Sequence, residues 1–116
     1  GYQMGTLWTT SDQAEFASGL RCVAGHEPVL DMMGRIVDYQ HWGLGRIGGA
    51  RYKGGWNYHE GGHLARQFGL IPGPNGDIAV AITAHSPKGH EGSFAMLDEL
   101  ANGLNAMRAD LPTSRC

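Results

Sequence analysis

A run of five turn-forming residues, Pro72-Gly73-Pro74-Asn75-Gly76, constrains this chain more than any other feature. Prolines and glycines at that density cannot sit inside a helix or a central strand, so the backbone must turn there. The next segment, Asp77-Ile78-Ala79-Val80-Ala81-Ile82-Thr83-Ala84, alternates β-branched residues with alanines. That pattern gives a strand with one bulky face and one small face. The small face suits close packing under a helix. Residues 49–55, 63–71 and 77–85 therefore read as three strands joined by turns, an antiparallel meander.

Glycine supports the same picture. It makes up 19 of 116 residues with no Gly-X-Y period, which excludes collagen and points to tight turns and short strands. A small domain this rich in glycine gains modest stability from its core alone. The expectation is a covalent staple, or a place within a larger fold.

Helices flank the strands. Thr9-Thr10-Ser11-Asp12 is a helix start, because a hydroxyl or carboxylate can accept the free amides of a first turn. Ala14, Phe16, Ala17 and Leu20 space a helix over about 11–22. His26-Glu27-Pro28 breaks it, and Val29 begins a second short helix with Leu30, Met33 and Val37 on one face. Gly43-Leu44-Gly45 marks a turn or strand edge. Ser93 can cap a last helix over 93–109, with Phe94, Leu97, Leu100, Ala101, Leu104 and Met107 as its buried stripe. Residues 1–116 thus form a single domain or a partial one: helical 9–40, sheet 49–86, C-terminal helix 93–109. The fold class is α+β, a three-stranded antiparallel sheet segment covered by helices.

Composition excludes several functions. Nine basic and eleven acidic residues give a net charge of −2, which leaves no surplus cation for phosphate neutralisation and argues against nucleic acid as a partner. No apolar run is long enough to cross a membrane. The two cysteines, Cys22 and Cys116, lack CxxC spacing, so a cysteine zinc site is unsupported. They are either a long-range disulfide or two unrelated thiols. A disulfide would mean an extracytoplasmic protein. The Gly1-Tyr2-Gln3 start reads as that of a mature or trimmed product.

Four motifs carry chemical possibilities. His59-Glu60-Gly61-Gly62-His63 matches the zinc-hydrolase HExxH pattern, in which His59 and His63 would hold the metal and Glu60 would act as base. That chemistry needs a helix, and adjacent glycines oppose one by about 2 kcal/mol relative to alanine. A strand-to-strand turn with two surface histidines fits these residues better, so no metal or other cofactor is expected. Gly43-Leu44-Gly45-Arg46-Ile47-Gly48 matches GxGxxG, yet no helix starts after it, as a dinucleotide loop would require. Ser86 and Ser93 lie near histidines in sequence but lack a nucleophile elbow and read as loop or capping serines. Arg51-Tyr52-Lys53-Gly54-Gly55-Trp56 offers a cation on an uncluttered strand edge, where an extended substrate can pair with the backbone. Its plain alternative is an exposed lysine at a strand end.

The order of these segments resembles the C-terminal half of a serine hydrolase of the class A β-lactamase and penicillin-binding type. It is closer to divergent actinobacterial members than to true β-lactamases. Thr9 to Asp12 resembles the helix start after the omega-loop region, and Val29 to Val37 the short helix that follows. Trp42-Gly43-Leu44 resembles the approach to the third strand, and Lys53-Gly54-Gly55 takes the place of Lys-Thr-Gly. Arg66-Gln67 falls where the fourth strand often carries an arginine, Asp77 to Ser86 resembles the fifth strand, and Phe94 to Arg108 the terminal helix.

The resemblance implies an acyl-enzyme reaction on a β-lactam or D-Ala-type amide. Lys53 would hold the substrate carboxylate and assist proton traffic, with Arg66 as a second anchor. Gly54 and Gly55 would lie against the substrate, and the backbone N–H of Trp56 would face the oxyanion. Gly54 departs from the family pattern by lacking a hydroxyl. No lysine follows Ser11, Ser18, Ser86, Ser93 or Ser114 at the third position, so the S-x-x-K nucleophile is absent, as is S-D-N. The resemblance therefore implies a complementary N-terminal segment or chain carrying the nucleophile, a small-molecule or peptidoglycan-type substrate, and a secreted or cell-envelope location. The rival reading is a catalytically inactive envelope-binding protein on the same fold.

Overall fold

A computed structural model describes residues 8–35, 41–59 and 61–116, with only the backbone of His59. The expected Val37 helix position and the Glu60 ligand lie outside the described residues. Helix α1 spans Thr10–Gly19 and continues as a 3-10 turn over Leu20–Cys22. Helix α2 spans His26–Met33. After a 3-10 turn at Gly43–Arg46 come β1 (Arg51–His59), β2 (Gly62–Gly73), β3 (Gly76–Ser86) and α3 (His90–Ala106). The sheet is antiparallel in the order β1-β2-β3. The chain is α+β, with helices on both faces of the sheet.

The turn-rich run reverses the chain as expected: Gly73 pairs with Gly76, and the register runs from there to His63 opposite Ser86. The alternation in β3 sorts two cores. Ile78, Val80, Ile82 and Ala84 pack with Leu44, Leu97 and Ala101 on the α3 side. Ala79 and Ala81 face the other cluster, where Ala17, Leu20, Leu30, Met33, Phe68 and Leu70 join α1 and α2 to the sheet. The alanine face admits α1 so closely that the Thr10 and Thr83 hydroxyls hydrogen-bond at 2.9 Å.

Local chemistry explains each boundary. Thr9 caps α1 by accepting from the Asp12 amide at 3.0 Å. Helix α2 begins at His26, three residues before the expected Val29. Pro28 sits in its first turn, where a missing N–H removes no intrahelical bond. The GxGxxG segment forms a 3-10 turn rather than a strand edge, with Gly43 at φ +62°. It then leads into β1, so no helix follows it. Helix α3 starts at His90, behind Gly89 at φ +85°, and Ser93 lies inside the helix instead of capping it. Of its expected stripe, Leu97 and Ala101 are buried, whereas Leu100 and Met107 are exposed. Cys22 and Cys116 form a disulfide, with their Cα atoms 5.3 Å apart. No helix among the described residues is long and apolar enough to cross a membrane.

Candidate functional site

Among the described residues, strand β1 is an edge strand, paired with β2 on one side only. Alternate backbone N–H and C=O groups of such a strand point away from the sheet and can bind an extended chain. Lys53 stands opposite Phe68, and Gly55 opposite Arg66. Side chains alternate along strands, so Lys53, Arg66 and Phe68 share the α1–α2 face of the sheet. Gly54 and the Trp56 side chain belong to the α3 face. The structure thus brings Lys53 and Arg66 onto one face and sets Gly54 on the other.

Lys53 borders a cleft of about 360 Å³ walled by Phe16, Leu20, Val29, Met32, Met33 and Phe68. The walls are almost wholly apolar. Phe16, Val29 and Met32 keep close to half or more of their surface exposed, so this side of the molecule offers an apolar groove with one ammonium at its rim. Burial holds the Lys53 ammonium below its ordinary pKa, because water that would stabilise the charge is partly excluded. Lys53 Nζ donates to the Gly54 carbonyl. Arg66 is buried in the middle strand. Apolar walls with one ammonium at the rim are complementary to an apolar group that also carries a negative charge.

Gly54 is a close-approach position. A Cβ placed there would lie 3.0 Å from Trp42 Cη2 and 3.6 Å from Gln67 Cγ. The indole of Trp42 therefore packs where a threonine side chain would begin. Gln67 holds that indole in place. It is fully buried, accepts from the Leu44 amide at 2.8 Å and donates to the Trp42 carbonyl at 2.7 Å.

The HEGGH segment lies at the β1–β2 turn. His59 pairs with Gly62 across it, and Gly61 adopts φ +77°. His59 and His63 are on adjacent antiparallel strands and not one helical turn apart, so the HExxH geometry is not built. His63 is also not a surface residue. It is 1% exposed, because β2 is the central strand and is covered on both faces. Its Nδ1 lies 2.5 Å from Ser93 Oγ, a pairing across thirty positions that no local spacing announces. Ser93 is fully buried and is no accessible nucleophile. Among the described residues no group of three or more His, Cys, Asp or Glu side chains is placed to hold a metal.

No family model, curated protein or solved structure gives a significant match to this chain. The functional reading therefore stands on the chain's own residues.

Proposed function

We propose that this chain is the C-terminal part of an extracytoplasmic serine hydrolase resembling the class A β-lactamases, with its substrate laid along β1. The observation that carries the reading is Lys53: a half-buried cation on an edge strand, at the rim of an open apolar groove. The substrate is a β-lactam or a D-Ala-type amide. Its carboxylate meets the Lys53 ammonium, and Arg66 adds positive field from the same sheet face. Its backbone pairs with the outer edge of β1. The Trp56 amide donates to the developing oxyanion. The attacking serine comes from a complementary segment, whose apolar surface covers Phe16, Val29 and Met32. Support for an extracytoplasmic setting comes from the Cys22–Cys116 disulfide.

A second reading, a catalytically inactive envelope-binding protein, is favoured by the packing of Trp42 over Gly54. A side-chain hydroxyl at that position would have to displace the indole.

Labelling by a fluorescent penicillin tests the reading, with the chain held in its native assembly. Wild-type protein is expected to label covalently, and Lys53→Ala to label about 10- to 100-fold more slowly, the size of losing one charged hydrogen bond to the substrate carboxylate, about 1.5–3 kcal/mol. Equal labelling of both proteins would remove Lys53 from the reaction. An unlabelled but penicillin-binding wild type would favour the inactive reading.

A further inference from the structure

A second cavity, of about 270 Å³, lies on the α3 face of the sheet between Trp42, Trp56, Tyr58, His63, His90 and Phe94. Every one of these side chains carries a ring. Among the described residues that line it there is no lysine, arginine or carboxylate. An anion therefore finds no cation here to pair with. A ligand rich in hydrogen-bonding groups would leave most of them unmatched against such walls.

Sheet and helix build these walls together. Trp56 and Tyr58 occupy alternate positions of β1, so both fall on the α3 face. His63 stands opposite Tyr58 on β2. His90 and Phe94 lie four residues apart on α3, about one helical turn. The ring planes cross at steep angles: 80° between Trp42 and Trp56, 87° between Trp56 and Phe94, and 86° between His63 and Phe94. Trp42 and Phe94 are parallel to within 13°, but their centroids are 4.1 Å apart. They already touch, so no slot for a flat ring remains between them. Crossed walls suit a compact, rounded group. The rings are also held in advance. Gln67 donates to the Trp42 carbonyl at 2.7 Å, and His63 Nδ1 lies 2.5 Å from Ser93 Oγ. Preorganised walls lose little freedom when a ligand enters. Tyr58 is 73% exposed, which puts it at the mouth.

We propose that this cavity binds a quaternary ammonium group of the trimethylammonium class. Such a group is compact and rounded, spreads its positive charge over methyl groups and needs no hydrogen-bond partner. The negative π-faces of aromatic rings attract it, those of tryptophan most strongly. A primary ammonium would instead give up strong hydrogen bonds to water and find few acceptors in exchange. The volume sits near the lower end of ligand pockets, which run from roughly 300 to 1,000 Å³, and so favours a small head group. Burial holds the His63 pKa below its ordinary value, so this wall sets no cation against the guest at neutral pH. A free small cation and the head group of a choline lipid share this chemistry. The site lies across the sheet from Lys53 and does not rest on the hydrolase reading.

Titrating the wild-type protein at pH 7.5 and constant ionic strength with choline, and with the neutral isostere in which tert-butyl replaces trimethylammonium, tests the site. The two ligands match in shape and differ in charge. Binding is read by tryptophan fluorescence and by the methyl proton resonance of choline, which moves upfield where the methyls lie over ring faces. Choline is expected to bind saturably, to shift upfield and to bind about tenfold tighter than its isostere; tenfold corresponds to about 1.4 kcal/mol. Tyr58→Leu, at an exposed position, is expected to weaken choline at least about threefold, and Trp56→Leu to weaken it further. Phosphatidylcholine vesicles distinguish the sources: protein retained on them marks the lipid head group, and choline binding without retention marks the free ion. Equal affinities for choline and its isostere would overturn the proposal, as would no saturable choline binding. Both of these results come from the wild-type protein, so the test survives a variant that fails to fold.

Discussion

Gln67 sets the geometry of the α3 face, because one fully buried amide serves two backbone groups of the turn at residues 42–44. Gln67→Leu leaves the Leu44 amide and the Trp42 carbonyl without these partners. The Trp42 carbonyl keeps the Gly45 amide at 3.3 Å, so the expected loss is about 1–3 kcal/mol, one unmatched buried group, read by urea denaturation. A loss below about 0.5 kcal/mol would mean that the Gly43–Arg46 turn holds itself. His63 gives a prediction in pH. Its pKa is lowered by burial, so the unfolded chain, at an ordinary value near 6.5, takes up the proton first as pH falls. The stability from neutral His63 is full above about 6.5 and is lost as pH drops from there towards the lower folded value. The melting temperature should fall between pH 7.5 and 5.5, and His63→Gln should flatten that fall. An unchanged slope in the variant would assign the effect to other groups. The strand positions of Lys53 and Arg66 were legible in the sequence, whereas their roles rest on the family resemblance. The burial of His63 was not legible. Alternation marks a buried face only where the other face is wet, and β2 is buried on both.

At the scale of elements, the strands and their turns were the most readable part. Pro72 to Gly76 and the Ile-Ala alternation of β3 each carry a local physical signal, and the register follows from them. The helix starts were less readable. Pro28 reads as a breaker, yet the first turn of α2 tolerates it, and Ser93 reads as a cap although Gly89 already turns the chain into α3. The β1 edge yields a prediction of its own. Gly54→Thr restores the hydroxyl residue of the Lys-Thr-Gly pattern but drives its Cβ to 3.0 Å from Trp42. The expected cost is about 1–3 kcal/mol, together with a change in tryptophan fluorescence. Unaltered stability and fluorescence would show that Trp42 yields freely, and would weaken the case for an inactive binding protein.

The whole molecule is tied at one corner. Arg21 and Arg51 both bind Asp77 Oδ2, the Ser114 amide donates to the Asp77 carbonyl at 2.8 Å, and Cys116 is bonded to Cys22 beside Arg21. Ends of α1, β1, β3 and the C-terminal tail meet there. A bridge spanning 94 residues restricts the unfolded chain by about 4–5 kcal/mol on chain-entropy grounds. Reduction, or Cys22→Ser with Cys116→Ser, should lower the unfolding free energy by up to that amount; no change on reduction would mean the corner is held by its ion pairs. The sequence offered these two cysteines with their pairing open, since only the fold brings residues so far apart together. The opposite situation holds at the groove beside Lys53, where large apolar side chains stay exposed. The hydrolase account explains that surface as the seat of a nucleophile-bearing segment. A native mass spectrum after exposure to penicillin tests this most directly. The account predicts that the 12.5 kDa chain is accompanied by, or continuous with, a further polypeptide segment that carries one covalent penicillin. A lone, folded 12.5 kDa chain with no adduct would contradict it.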